Sequence, residues 1–290
     1  MNPEALAWLL EEDNPAMRYR TKTEILGEPA NKEPVIAWIN GFLPEDWQRR
    51  EGLWYTYWLT AVAECGLSWD DIPMDVKRAT RFEGRHGFEC GCGDFMRLRA
   101  LVRLGLGAAP TVAELIRGLP QSQLPDGGFL CAHRMEKRKN MPKSCAKATL
   151  HALLFAAECR KRGIETGIEA PLIEYFRRHN LFYRTDDLKT LMLDGRAGWR
   201  TIDCFYPFEA MRVGLQNVVE SLCVLGLGED ECMAGALAML QSKRGADGRY
   251  PLEGTLTKSY LPKERAGVPS KWVTFYALLA ETRKGGERKR

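Results

Sequence analysis

A chain of 290 residues, 45% of them apolar, is long enough to bury one large core, and no Pro/Ser-rich linker or low-complexity tract divides it. The formal net charge is only +4, and part of it sits in the basic tail 283–290, which reads as a solvated, frayed end and not as a nucleic-acid surface. There is no run of about 18 apolar residues, so no transmembrane helix is expected.

The predicted elements are helical throughout. Residues 1–32 read as N-terminal helices. Asn14-Pro15 is an N-cap followed by proline at the first helical position, and it opens a helix from Ala16 to Leu26 that Gly27 and Pro29 close. Outer helices fit Pro34 to Asn40, Asp75 to Thr80, Val112 to Arg117, Ile168 to Arg178 and Asp230 to Ser242. Longer inner helices fit Leu53 to Cys65, Asp94 to Leu104, Lys143 to Arg162, Tyr206 to Leu225 and Ser270 to Thr282. Within the fourth of these, Met211, Leu215, Val218, Val219, Leu222 and Leu225 recur at helical spacing. The prediction is a single all-α domain spanning residues 1–290.

A turn repeats along this framework. Gln121-Ser122 leads into Asp126-Gly127-Gly128-Phe129, and Gln241-Ser242 leads into Asp247-Gly248-Arg249-Tyr250. His86-Gly87-Phe88 and Ala197-Gly198-Trp199 are weaker copies. Two inner helices close alike, at Leu104-Gly105-Leu106-Gly107 and Leu225-Gly226-Leu227-Gly228. Self-similarity on this scale means stacked supersecondary units, because one helix pair cannot bury its own apolar face.

Gln followed by Asp-Gly-x-aromatic and an apolar helix resembles the repeat of the terpenoid-cyclase and protein-prenyltransferase superfamily. The resemblance runs from about Arg81 to Glu281. The stretches Leu181-Phe182, Phe205-Tyr206-Pro207, Ser242-Lys243-Arg244 and Pro269-Ser270-Lys271-Trp272 are similar to a bacterial prenyltransferase-like or squalene-cyclase-like branch without a settled activity. The resemblance implies an α/α toroid of about five to six helix pairs, with an isoprenoid or similar apolar ligand in a central cavity. Such repeats speak for a fold more than for a reaction.

The family's reaction motifs are missing. Class II cyclases protonate their substrate with Asp-x-Asp-Asp, and here Arg184-Thr185-Asp186-Asp187 and Trp69-Asp70-Asp71 lack the first aspartate. Asp70 and Asp71 read as helix-capping residues. Protein prenyltransferases hold zinc with Asp-x-Cys and a later histidine, whereas Asp203 and Cys204 are adjacent and no histidine follows His179. If the protein is an enzyme, its candidate catalytic carboxylates are Asp186, Asp187 and Asp203.

Candidate ligand-binding residues are the aromatics at inner helices, Trp54, Tyr57, Trp58, Phe205, Tyr206, Trp272 and Phe275, together with Arg212 and Lys271 as a phosphate-binding pole. The alternative for each ring is packing between helix layers.

Nine cysteines are scattered through the chain, and its start shows no signal peptide, so a reducing cytoplasm is the expected setting. Cys65, Cys159, Cys223 and Cys232 lie in apolar stretches and read as small core residues. Cys90, Cys92, Cys131 and Cys145 fall in loops of consecutive repeats. Their convergence would suit a tetrahedral Zn site with bonds of about 2.3 Å, and His133 is a possible substitute ligand. Packed, reduced and unliganded thiols are the other reading. A non-catalytic scaffold or interaction protein with structural zinc is therefore the alternative to a ligand-binding toroid.

Overall fold

The computed structural model describes residues 1–82, 87–131, 143–181, 183, 205, 212–254, 261–262 and 264–284. These residues are all-helical. They contain no β-strand, only isolated bridges such as Pro251 with Pro269. No helix among them is long and apolar enough to cross a membrane.

Five inner helices carry the core: α4 (Gly52–Glu64), α6 (Cys92–Arg103), α8 (Ala146–Lys161), α10 (Leu215–Val224) and α12 (Lys271–Arg283). Nearly every residue of α8, α10 and α12 is buried, as expected of helices surrounded by protein on all sides. The others are α1 (Pro3–Leu9), α2 (Pro15–Arg20) with a widened turn over Thr21–Leu26, α3 (Glu33–Asn40), α5 (Val76–Ala79), α7 (Pro110–Ser122), α9 (Glu169–Arg178) and α11 (Ala234–Ser242). Outer helices bury one stripe only. In α7 it is Val112, Ile116 and Leu119, and in α9 it is Leu172, Tyr175 and Phe176.

The inner helices pack side by side in chain order, α4 on α6, α6 on α8, α8 on α10 and α10 on α12. They run parallel. The start of α4 reaches the start of α6, where a Cβ on Gly93 would stand 2.7 Å from Leu53 Cδ2. At the other end, Arg103 Nε donates to the Ala63 carbonyl (3.2 Å). A buried hydrogen bond from the Tyr276 hydroxyl to Glu64 links α12 back to α4.

The repeated turn is the same object twice. The Phe129 N–H donates to Thr149 Oγ1 (3.1 Å), and the Tyr250 N–H donates to Thr274 Oγ1 (2.9 Å). In both copies the residue capping the next inner helix donates its N–H back to the aromatic's carbonyl, Cys145 to Phe129 (2.8 Å) and Ser270 to Tyr250 (2.9 Å). Phe129 and Tyr250 are fully buried. Gly127 has φ +89°, and a Cβ there would sit 2.1 Å from the Pro171 carbonyl oxygen, so only glycine fits. The copy at 197–199 lies outside the described residues.

The Leu-Gly-Leu-Gly endings are Schellman caps. The Leu106 N–H reaches the Leu101 carbonyl and the Leu227 N–H reaches the Leu222 carbonyl, both at 2.9 Å, with Gly105 and Gly226 at positive φ. Helix boundaries otherwise follow the sequence reading, with three corrections. The helix expected over Val112 to Arg117 runs on both sides, Pro110–Ser122, and the one expected from Lys143 starts at Ala146, with Cys145 extended as its N-cap. The helix expected from Tyr206 starts at Leu215, because residues 212–214 are not helical and Gly214 is extended as its N-cap. Residues 206–211 lie outside the described residues.

Candidate functional site

The parallel inner helices give the molecule two ends with different chemistry. At their N-terminal end, α4 opens with Leu53 and Trp54 exposed (44% and 41%), although the rest of the helix is largely buried. Trp54 meets Tyr57 edge-on, with centroids 6.2 Å apart, and Tyr57 is half-buried. The remaining nominated rings pack in the core. Trp58 and Trp272 are nearly buried, and Phe205 and Phe275 completely so. Lys243 lies over Phe205 (4.8 Å) and Arg20 over Phe275 (4.3 Å). Tyr206 lies outside the described residues, as do Asp186, Asp187 and Asp203.

Lys271 is not held out for a phosphate. It is buried, its ammonium bonds Glu11 (3.1 Å) and Asp13, and it lies over Trp8 (5.3 Å). It therefore ties α12 to the α1–α2 connection. Arg212 is half-buried just before the N-cap of α10.

The four loop cysteines split. The Cys90 thiol is within hydrogen-bonding reach of Ser122, whereas Cys92 has Cys131, Cys145 and Lys147 as its charged or titratable neighbours. Burial pushes both Cys90 and Cys92 up to about 11. Among the described residues, no three of His, Cys, Asp and Glu stand where one metal ion could take them all. The donor set does not present a formed zinc site there. His133 lies outside the described residues.

The C-terminal end of the inner helices was not foreseen. Each inner helix delivers a charge into one buried network. Arg20, fully buried, binds Glu24 through Nε (2.5 Å) and Nη2 (3.0 Å). Its Nη1 donates to Glu64 Oε2 (3.2 Å) and to the Tyr276 oxygen (3.2 Å). Glu64 of α4 also meets Arg99 of α6 (2.8 Å). Arg103 of α6 donates to Glu158 of α8 (3.0 Å), and Glu158 further holds Lys161 (3.0 Å) and Arg162. Lys161 reaches Glu220 of α10 (3.3 Å), which also pairs with Arg283 of α12.

The energetics of this network follow from burial against pairing. Burial alone would raise the Glu64 carboxyl, but Arg103, Arg99 and Arg20 overcome it and hold it at about 2. Glu24 is held at about 2 by Arg20 in the same way, against its burial. For Lys161 burial wins and its ammonium falls to about 7. Glu158 opposes the shift, and Arg283 and Arg103 add to it. A pocket of ≈ 1460 Å³ opens over this end. The sequence signal for it is a charge at the close of an inner helix just before a glycine cap, as in Glu64-Cys65-Gly66 and Arg103-Leu104-Gly105.

No protein-family model matches the chain, and no curated protein matches it either. The function therefore rests on these two ends.

Proposed function

We propose that the parallel inner helices and their outer partners form an α/α toroid of the terpenoid-cyclase and prenyltransferase kind, and that the protein binds an isoprenoid or similar apolar ligand. The observation that carries this reading is the exposed pair Leu53 and Trp54, with Tyr57 beside it, at the N-terminal rim of helices that are otherwise buried. Large apolar side chains gathered at a rim favour an apolar partner. The candidate catalytic carboxylates Asp186, Asp187 and Asp203 belong to this reading as the groups that would act on such a ligand.

The test is lipid mass spectrometry on the purified chain, followed by titration with farnesol. A polyprenyl lipid should co-purify with the wild type, and Trp54→Ala should weaken farnesol binding by roughly tenfold, about 1.4 kcal/mol. Absence of a co-purifying lipid together with no saturable farnesol binding would sink the reading.

A second reading is a non-catalytic interaction protein with structural zinc, in which Cys92, Cys131 and Cys145, neighbours but not gathered on one point, would close around the ion. On that reading the purified protein carries about one zinc per chain, and Cys131→Ser releases it and lowers stability. Metal analysis after reducing, chelator-free purification decides, since a zinc-free, fully folded protein rejects it.

A further inference from the structure

The pocket at the C-terminal end of the inner helices plays no part in either reading. Its wall carries Arg103, Arg160, Lys161, Arg162 and Arg283 against only Glu24 and Glu158. We propose that this pocket binds a compact polyanion, either a phosphate ester or a polycarboxylate.

Three observations lead there. First, the imbalance persists behind the wall. Arg20 and Arg99 add two cations, and Glu64, Glu220 and Glu169, the partner of Arg160, add three carboxylates, so seven basic groups face five carboxylates. Positive charge in excess at a partly enclosed site favours binding of a counter-ion.

Second, the space for that counter-charge lies on the cationic side. At ≈ 1460 Å³ the pocket is far larger than one ion needs, and its wall includes the half-exposed guanidiniums of Arg160 and Arg162. A concave wall on which positive charge predominates concentrates anions.

Third, the basic groups differ in what occupies them. Arg103 and Arg20 sit deep and are pinned by carboxylates, and both are held above the ordinary guanidinium value. Lys161 and Arg283 lie nearer the opening and are pushed the other way, by burial first, with Arg103 among the cations that add to the shift. A bound anion would favour the charged forms of Lys161 and Arg283. Guanidinium forks suit phosphate and carboxylate oxygens alike, so the shared chemistry is a multiply charged oxyanion. The apolar part of the wall, Ile25, Ala63 and Val224, leaves room for a small carbon skeleton on the same ligand.

This proposal stands apart from the isoprenoid reading, because the two sites lie at opposite ends of the inner helices. The test uses the full chain with inorganic pyrophosphate and citrate as separate probes, and sodium chloride at matched ionic strength as the control. Melting temperature and calorimetric titration should both show saturable binding of at least one probe beyond chloride, and the stronger probe distinguishes the two sources. Arg162→Gln should weaken it at least tenfold. Arg160→Gln sits on the exposed rim and leaves the buried pairs intact, so it should fold normally and weaken binding severalfold. Shifts no larger than those with chloride for both probes would overturn the proposal. So would unchanged affinity in the folded Arg160 and Arg162 variants.

Discussion

Glu64→Gln lowers the stability of the folded chain by about 3–5 kcal/mol at neutral pH. Glu64 is fully buried at the end of α4 and answers Arg20, Arg99 and the Tyr276 hydroxyl. The amide keeps the volume and removes the charge, which leaves two guanidiniums desolvated with less to balance them. The pH dependence has a fixed sign. The folded carboxyl lies at about 2, below the ordinary value of 4.5. The unfolded state therefore takes up protons first, and stability falls as pH is lowered. The contribution of Glu64 is complete above about pH 4.5 and is lost as pH drops toward 2. Urea unfolding of wild type and variant at pH 7 and pH 3 should show the gap between them narrowing on acidification. A gap under 1 kcal/mol at pH 7, or one that does not change with pH, contradicts this account of the network.

Phe129→Ala is the second large effect, at about 3–5 kcal/mol. The ring is completely buried and meets Phe95 edge-on at 4.8 Å, and Phe95 in turn contacts Phe88 (5.7 Å) and Phe155 (6.0 Å). Removing it opens a void between the first helix of the repeated pair and the next. The turn itself cannot close over that void, because Gly127 is pressed against Pro171 and Gly128 against Ser144. A thermal or urea midpoint unchanged from wild type would show that the repeated turn does not carry the core.

The helices and their ends were legible because local chemistry decides them. Asn14 accepts from the Met17 N–H, Asp75 from the Arg78 N–H, and Gly27 closes its turn at φ +70°. Each signal lies within a few residues of its effect. The repeat was legible for the same reason, since Asp126-Gly127-Gly128-Phe129 and Asp247-Gly248-Arg249-Tyr250 build the same turn twice. What sequence could not supply was the meeting of residues far apart. Glu64 and Glu220 look like stray charges in apolar runs, and Arg20, Arg103, Glu158 and Arg283 like ordinary members of polar ones; only parallel packing makes them one network. A phosphate pole is expected at helix starts, where amides attract anions. The structure instead gathers basic residues at helix ends, where exposed carbonyls favour cations. Lys271, expected to face a ligand, is tied to Glu11 and Asp13, two acidic residues more than 250 positions away.

That last pairing is one of several between the beginning of the chain and α12 with its preceding turn. Arg20 bonds Tyr276, Arg249 lies over Trp8 (4.5 Å), and Asn2 fills the space beside Gly248. α1 and α2 therefore have their partners among elements made more than 200 residues later. On a ribosome α1 and α2 emerge without the surface that buries Arg20, which then has Glu24 as a local partner but neither Glu64 nor Tyr276, beside an open apolar flank. Pairing across so long a sequence separation makes closure of this seam a late step in folding.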